Sequence, residues 1–169
     1  MLLETTRVFI RSLTEMDFPE IYRMQSDPEI MRYIRAAVAE EQLVRERMAA
    51  WVDYEQKNPD LGVWGIFLKE TGAFAGYVTG RHVGFDPAIA EYEVGYVIAP
   101  EHWGKGLATE VTQRVCRHLF ETFKVAEIVA FTDPENHPSQ HVLRKCLFIE
   151  TGRRHVYGGE SAEFKLLMR

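Results

Sequence analysis

Between Glu91 and Thr109 the chain reads Glu-Tyr-Glu-Val-Gly-Tyr-Val-Ile-Ala-Pro-Glu-His-Trp-Gly-Lys-Gly-Leu-Ala-Thr. Two kinds of chemistry sit in that stretch. Glu91 and Glu93 are two residues apart in an alternating run, so a strand turns both carboxylates to one side. There each can take a proton or pair with a Lys or Arg. Trp103-Gly104-Lys105-Gly106-Leu107-Ala108-Thr109 then joins a strand end to a helix start. Glycines let backbone approach a ligand closely, and the unpaired N–H groups of a first helical turn hold anionic oxygens. Phosphate is one ligand for such a cradle, and a plain tight turn between strand and helix is the alternative. Further on, Asn136-His137-Pro138-Ser139 opens another helix. Ser139 is either a hydrogen-bond donor to a leaving group or a first-turn capping residue. Asn136 is either an amide binder or a helix-entry residue. Glu163, in the last apolar run, is a further candidate base. His137 and His141 lack a third ligand nearby, so no metal site is expected. Cys116 and Cys146 read as core thiols.

These groups need a scaffold, and the pattern supplies one. Val8–Ser12, 63–68, 74–80, Tyr92–Ile98, 128–132, 148–151 and 163–168 read as strands, about seven in all. Thr14 is a plausible N-cap for a helix through about Met24, and Asp27-Pro28 starts a second helix. A longer helix covers 40–56, with Leu43, Met48, Trp51 and Val52 as its apolar side. Leu107, Val111, Val115 and Leu119, spaced four apart, mark an amphipathic helix over 107–123. Another helix runs from Pro138 to about Lys145. Hairpins followed by strand–helix–strand crossovers predict α/β layers around one mixed sheet. The 107–123 helix crosses between Tyr92–Ile98 and 128–132, which forces those strands parallel.

The 169 residues suit one domain, 1–169, and the composition is ordinarily globular, with 46% hydrophobic and 27% charged residues. A net charge of −5 argues against non-specific nucleic-acid binding. No apolar run is long enough to cross a membrane, and two cysteines with no signal-like leader make a reducing cytoplasm the default. Between Glu15 and Asp60 stand eleven acids and six bases, which carry the whole acidic excess. That segment is either a solvated helical surface or a field that draws cations. Oligomeric state is not legible.

The Gly106-Leu107-Ala108 step resembles the acyl-CoA pyrophosphate loop of the GNAT acetyltransferase superfamily, although Trp103 stands where that family has Gln or Arg. Trp103 to Glu110 is similar to the branch of ribosomal-protein N-terminal acetyltransferases. Thr6–Arg11 with Asp17, Glu93-Val94-Gly95-Tyr96 with Pro100, and Asn136-x-x-Ser139 with Val142, Leu143 and Phe148 resemble the same branch. Two departures stand out: Leu147 replaces a Gly, and Leu143 occupies the position where many relatives carry a Tyr acid. The resemblance implies a GNAT-like, mostly antiparallel sheet splayed between its fourth and fifth strands. It also implies acetyl-CoA as co-substrate, held by 103–109 with Asn136 and Ser139, and no metal. Glu93 is then the proton acceptor, ahead of Glu91 and Glu163, and Ser139 the donor to the thiolate. The acceptor is a primary amine: a protein N-terminus or a small amine. An α-amine with a pKa of about 7.7–8.0 needs little help to lose its proton, whereas a lysine-like amine at about 10.4 needs much more. Two other readings stay open. One is a catalytically idle acyl-CoA sensor. The other is a dinucleotide-binding protein using Gly104-x-Gly106 and Asp133, although Thr109 stands where its third Gly belongs.

Overall fold

The computed structural model describes residues 2–168; residues 1 and 169, the two ends of the expected domain span, lie outside the described residues. The strands are β1 (Leu2–Glu4), β2 (Val8–Ser12), β3 (Gly62–Leu68), β4 (Phe74–His82), β5 (Tyr92–Ile98), β6 (Glu127–Thr132), β7 (Ile149–Val156) and β8 (Gly159–Leu167). The helices are α1 (Phe18–Ser26), α2 (Pro28–Met31), α3 (Glu41–Lys57), α4 (Leu107–Phe123) and α5 (His137–Lys145). All eight strands form one sheet in the order β1-β2-β3-β4-β5-β6-β8-β7. β5 and β6 are parallel and every other neighbouring pair is antiparallel. The sheet thus has one strand more than expected. The extra one is β1, which pairs Leu3 with Ile10 and buries Leu3 at the edge.

Each face of the sheet carries its own core. On one side α4 lays Val111, Val115 and Leu119 on Trp64, Ile66, Val94 and Ile98. All three α4 residues are fully buried, each worth about 1.5–3 kcal/mol. On the other side α1 and α3 pack Ile21, Met24, Val44, Met48 and Trp51 over Val63, Tyr77 and Val97. The α3 face differs from the expected one. Val44, Met48 and Trp51 recur at the helical spacing, so Leu43 turns out to solvent and Tyr54 joins the buried stripe instead. Asp27 caps α2 as expected, accepting the N–H groups of Glu29 and Ile30.

β5 is bound to β4 along its whole length, from Tyr92 opposite His82 to Ile98 opposite Gly76. β6 is bound to β8 from Glu127 to Thr132. Between β5 and β6 only one position pairs, Glu93 opposite Val129. Beyond it the two strands part, and the sheet splits toward the C-terminal ends of both. This splay is the expected one. The hairpins that build β3, β4 and β5, with a single parallel pair, overturn the dinucleotide reading, which needs a parallel sheet built from crossovers.

Candidate active site

At the mouth of the split, β5 ends and a short turn over Pro100–His102 leads into the glycine loop. Gly104 and Gly106 have φ of +70° and +74°, a left-handed conformation that favours glycine. A Cβ at 104 would meet nothing, and one at 106 only the Arg7 guanidinium at 3.8 Å. The loop's outer surface is therefore open, and α4 begins directly behind it with its first-turn N–H groups free of intrahelical partners. Arg7 adds positive charge: it donates to the Lys105 carbonyl at 2.7 Å and pairs with Glu110 at 2.6 Å. Open backbone donors beside a guanidinium fit the diphosphate of an acyl-CoA. Trp103 plays a different part from the polar residue it replaces. Its indole N–H donates to the Ile98 carbonyl at 2.7 Å, so only its half-exposed ring is left for a ligand. Lys105 extends its amine to the Glu101 carbonyl.

The Ile98 carbonyl faces away from β4, and alternation turns the backbone of Tyr96 and Val94 the same way, into the split. A cavity of about 530 Å³ runs there, from α5 to the opposite face of the sheet. On the α5 side it is bordered by Asn136, Ser139 and Tyr96. Asn136 does cap α5, its side-chain oxygen accepting the Ser139 N–H at 3.2 Å. The Ser139 hydroxyl lies 3.1 Å from the Tyr96 hydroxyl. Burial pushes the Tyr96 pKa up to about 12, so the phenol keeps its proton at neutral pH. Tyr96 thus stands beside Ser139 where Leu143, also at the cavity wall, offers nothing polar.

Across the split, the other face carries Glu93. Its carboxylate pairs with Arg81 at 2.8 Å and accepts the Tyr157 hydroxyl. Both Glu93 and Arg81 are more than nine-tenths buried. Tyr157 also accepts the Gly84 N–H at 3.0 Å, and its pKa rises to about 12 through burial and the neighbouring Glu93 charge. Arg81 and Tyr157 were not legible as site residues. Arg81 opposes Glu93 in the β4–β5 register. Tyr157 sits at the β7–β8 turn with φ +54°, a strained position for a tyrosine. The Tyr157-Gly158-Gly159 break between two strands was the one available signal for it. Of the other candidate bases, Glu91 and Glu163 share Arg154, at 2.7 and 3.3 Å, and neither borders the cavity. The Glu91 pKa is lowered by its bond to Arg154.

The acids of residues 15–60 do not reach this cavity. Asp17 is tied to Arg11, Glu20 to Arg23 and Glu41 to Arg45. That segment contributes Tyr33, Ile34, Arg35 and Trp51 to the lining. The charge it brings is positive, opposite to the field its composition suggests.

A family model described as an acetyltransferase (GNAT) domain matches residues 7–149. A Bacillus subtilis (strain 168) protein described as the uncharacterized N-acetyltransferase YoaA is 30% identical over 164 residues, 92% of this chain and 88% of its own. The spermidine N(1)-acetyltransferase of Escherichia coli (strain K12) is 24% identical over 149 residues, 86% of this chain and 74% of its own. Among solved structures, that of RimL, a ribosomal L7/L12 alpha-N-protein acetyltransferase in complex with coenzyme A, aligns with a TM-score of 0.83 at 14% identity, over 99% of this chain and 98% of that one.

Proposed function

The chain belongs to the GNAT acetyltransferase family, and from that premise we propose that residues 1–169 form one acyltransferase domain that acetylates a primary amine bound on the Glu93 face of the sheet. The activity is that of an acetyl-CoA-dependent N-acetyltransferase; the acceptor and the residue roles are the proposal. Acetyl-CoA supplies the activated acyl group and a thiolate leaving group. The loop 103–109 and Arg7 hold its diphosphate, and the Asn136 side-chain N–H and the open edge of β5 hold its amides. Ser139, backed by the neutral Tyr96 phenol, donates a hydrogen bond to the departing thiolate, which then takes its proton from solvent. On the far face Glu93 receives the amine's proton, directly or through a water. Each of its oxygens already accepts one donor, and a carboxylate oxygen has a second lone pair to offer. The same reading keeps the enzyme in a reducing compartment, in line with the free, buried thiols of Cys116 and Cys146.

The single observation that supports this reading most is the pairing across one cavity: Ser139–Tyr96 on one side of the split and Glu93 on the other. Incubation with acetyl-CoA and a panel of peptides, alkylamines and diamines tests it by thiol release. Stoichiometric acetylation of at least one primary amine is expected. Release no faster than the acceptor-free rate for every amine would instead favour the idle acyl-CoA sensor.

A further inference from the structure

The acceptor half of the cavity is rich in donors that have no acceptor. Arg35, in the turn after α2, borders it, and its exposed side chain has no hydrogen-bond or ion-pair partner among the described residues. Arg47, on α3, donates to the Gln25 side-chain oxygen, and Gln25 in turn donates to the Tyr77 hydroxyl at 2.6 Å. That hydroxyl is left with its own proton to give, and Tyr77 borders the cavity. Burial and repulsion from Arg35 both push the Arg47 pKa down, so the two guanidiniums are close enough to feel each other. On the same face of β4, Arg81 has Nε and Nη1 buried without a partner, although its Nη2 is held by Glu93. Buried donors left unmade are costly, and Arg81 holds two of them beside a cavity whose α3 end carries the exposed Arg35 and no acid.

The geometry points to an acceptor that carries a carboxylate as well as its amine, the carboxylate held by Arg35 and Tyr77, with the Arg47 charge behind Gln25, while the amine lies at Glu93. This inference rests on the N-acetyltransferase reading above and narrows its acceptor class. The spacing sets the kind of molecule. Tyr77 and Arg81 are four residues apart on β4, about 14 Å along the strand, and Glu93 stands opposite Arg81. The carboxylate is therefore several bonds from the amine, as in an ω-amino acid or in a peptide with an acid close to its N-terminus. A polyamine suits the site poorly. The Trp51 and Tyr77 rings, 5.4 Å apart, would welcome a distal ammonium by cation–π attraction, but Arg35 and Arg47 repel it.

Three acceptors of one length separate these cases: 6-aminohexanoate, hexylamine and 1,6-diaminohexane. For the wild type, kcat/KM is expected to fall in that order, with the carboxylate about tenfold above hexylamine, since a lost charge-assisted hydrogen bond costs about that factor. Arg35→Gln is expected to erase the gap, lowering kcat/KM for 6-aminohexanoate about tenfold more than for hexylamine, mainly through KM. Alanyl-glutamate amide against alanyl-glutamine amide tells whether a peptide acid supplies the carboxylate. A diamine used as well as the amino acid, with no change of preference in Arg35→Gln, overturns the inference. If no amine is acetylated, the function reading fails instead. Calorimetric titration with hexanoate then decides the subsite: weaker binding to Arg35→Gln supports it, and equal binding overturns it.

Discussion

Glu93 is held by two donors inside the protein, and this fixes what its replacement does. Glu93→Gln keeps the shape but removes the charge that Arg81 faces at 2.8 Å. Breaking a buried pair on one side costs about 3–5 kcal/mol, so the melting temperature should drop clearly. In the fraction that stays folded, turnover should fall about 10²-fold on alkylamines, the scale of a lost general base. The loss should be smaller on α-amines, which are partly neutral already. Acetyl-CoA affinity, measured by calorimetry, should change little. Tyr157→Phe separates the two effects because it leaves the Arg81–Glu93 pair intact. A moderate loss of kcat with near-native stability is the expected outcome; full activity in both variants would remove Glu93 from the proton path. On the other wall, Ser139 and Tyr96 are in contact and should act as a unit. Ser139→Ala and Tyr96→Phe should each slow turnover by up to about 10²-fold. The double variant should fall little further than the worse single one, since groups that act together are non-additive. Additive losses in steady-state kcat would show two separate roles.

At the scale of elements, the glycine loop and the start of α4 form one unit. Gly106→Asp puts a side chain on a backbone with φ +74° and a negative charge where phosphate oxygens would lie. CoA affinity should fall at least about tenfold, the effect of losing one charge-assisted contact. Lys105→Glu keeps the glycine backbone and should weaken CoA in the same direction. Unchanged calorimetric affinity in both folded variants would move the diphosphate elsewhere. This unit was legible because its signals are local: the strand ending at Ala99-Pro100, the two glycines, and the four-residue spacing of Leu107 to Leu119. The Asp27-Pro28 cap and the parallel β5–β6 pair were legible for the same reason, since caps and crossovers constrain their own neighbours. The parts that stayed hidden are made by distant partners. Arg7 reaches Lys105 and Glu110 from β2's leading edge, about a hundred residues away in sequence. Arg81 meets Glu93 only through the β4–β5 register, and Tyr157 only through a hairpin. The expected closing strands were too short for a related reason. β7 is exposed along most of its length, so it shows no alternation to mark where it ends. The helix-pair acidity misled because composition counts charges without their partners, and most of those acids are paired or face solvent.

Across the whole molecule, protonation should lower stability in two steps as the pH falls. The upper step belongs to His82. The Tyr54 hydroxyl accepts the His82 backbone N–H at 2.9 Å and lies 2.8 Å from the ring Nδ1. That hydroxyl can donate to Nδ1 or accept from it, according to the ring's tautomer. Burial lowers the His82 pKa below 6.5, against the opposing pull of Asp86. The unfolded chain then binds the proton more readily than the folded one. The stabilisation is complete above the unfolded value and is lost as the pH drops through the folded value. The lower step belongs to carboxylates. Glu91 and Glu110 have pKa values lowered from 4.5, and Asp17 from 3.8. Arg154 is the main cause for Glu91. For Glu110 and Asp17, burial works against the shift and is outweighed by hydrogen bonds, from Thr5 and Arg7 to Glu110 and from Arg11 and Thr14 to Asp17. The sign is the same: stability present above the unfolded value and lost below it. Asp17 precedes α1, Glu110 lies in the first turn of α4 and Glu91 just before β5, and they hold Arg11 of β2, Arg7 of the β1–β2 loop and Arg154 of β7, so acid should loosen both ends of the sheet together. Melting temperatures recorded from pH 8 to pH 3 should hold near neutrality, decline modestly below about 6.5, and fall steeply below about 4.5. His82→Gln, which can still hydrogen-bond the Tyr54 hydroxyl, should remove the upper decline and leave the lower one. An upper decline unchanged in that variant would assign the step to another group and leave His82 without a part in it.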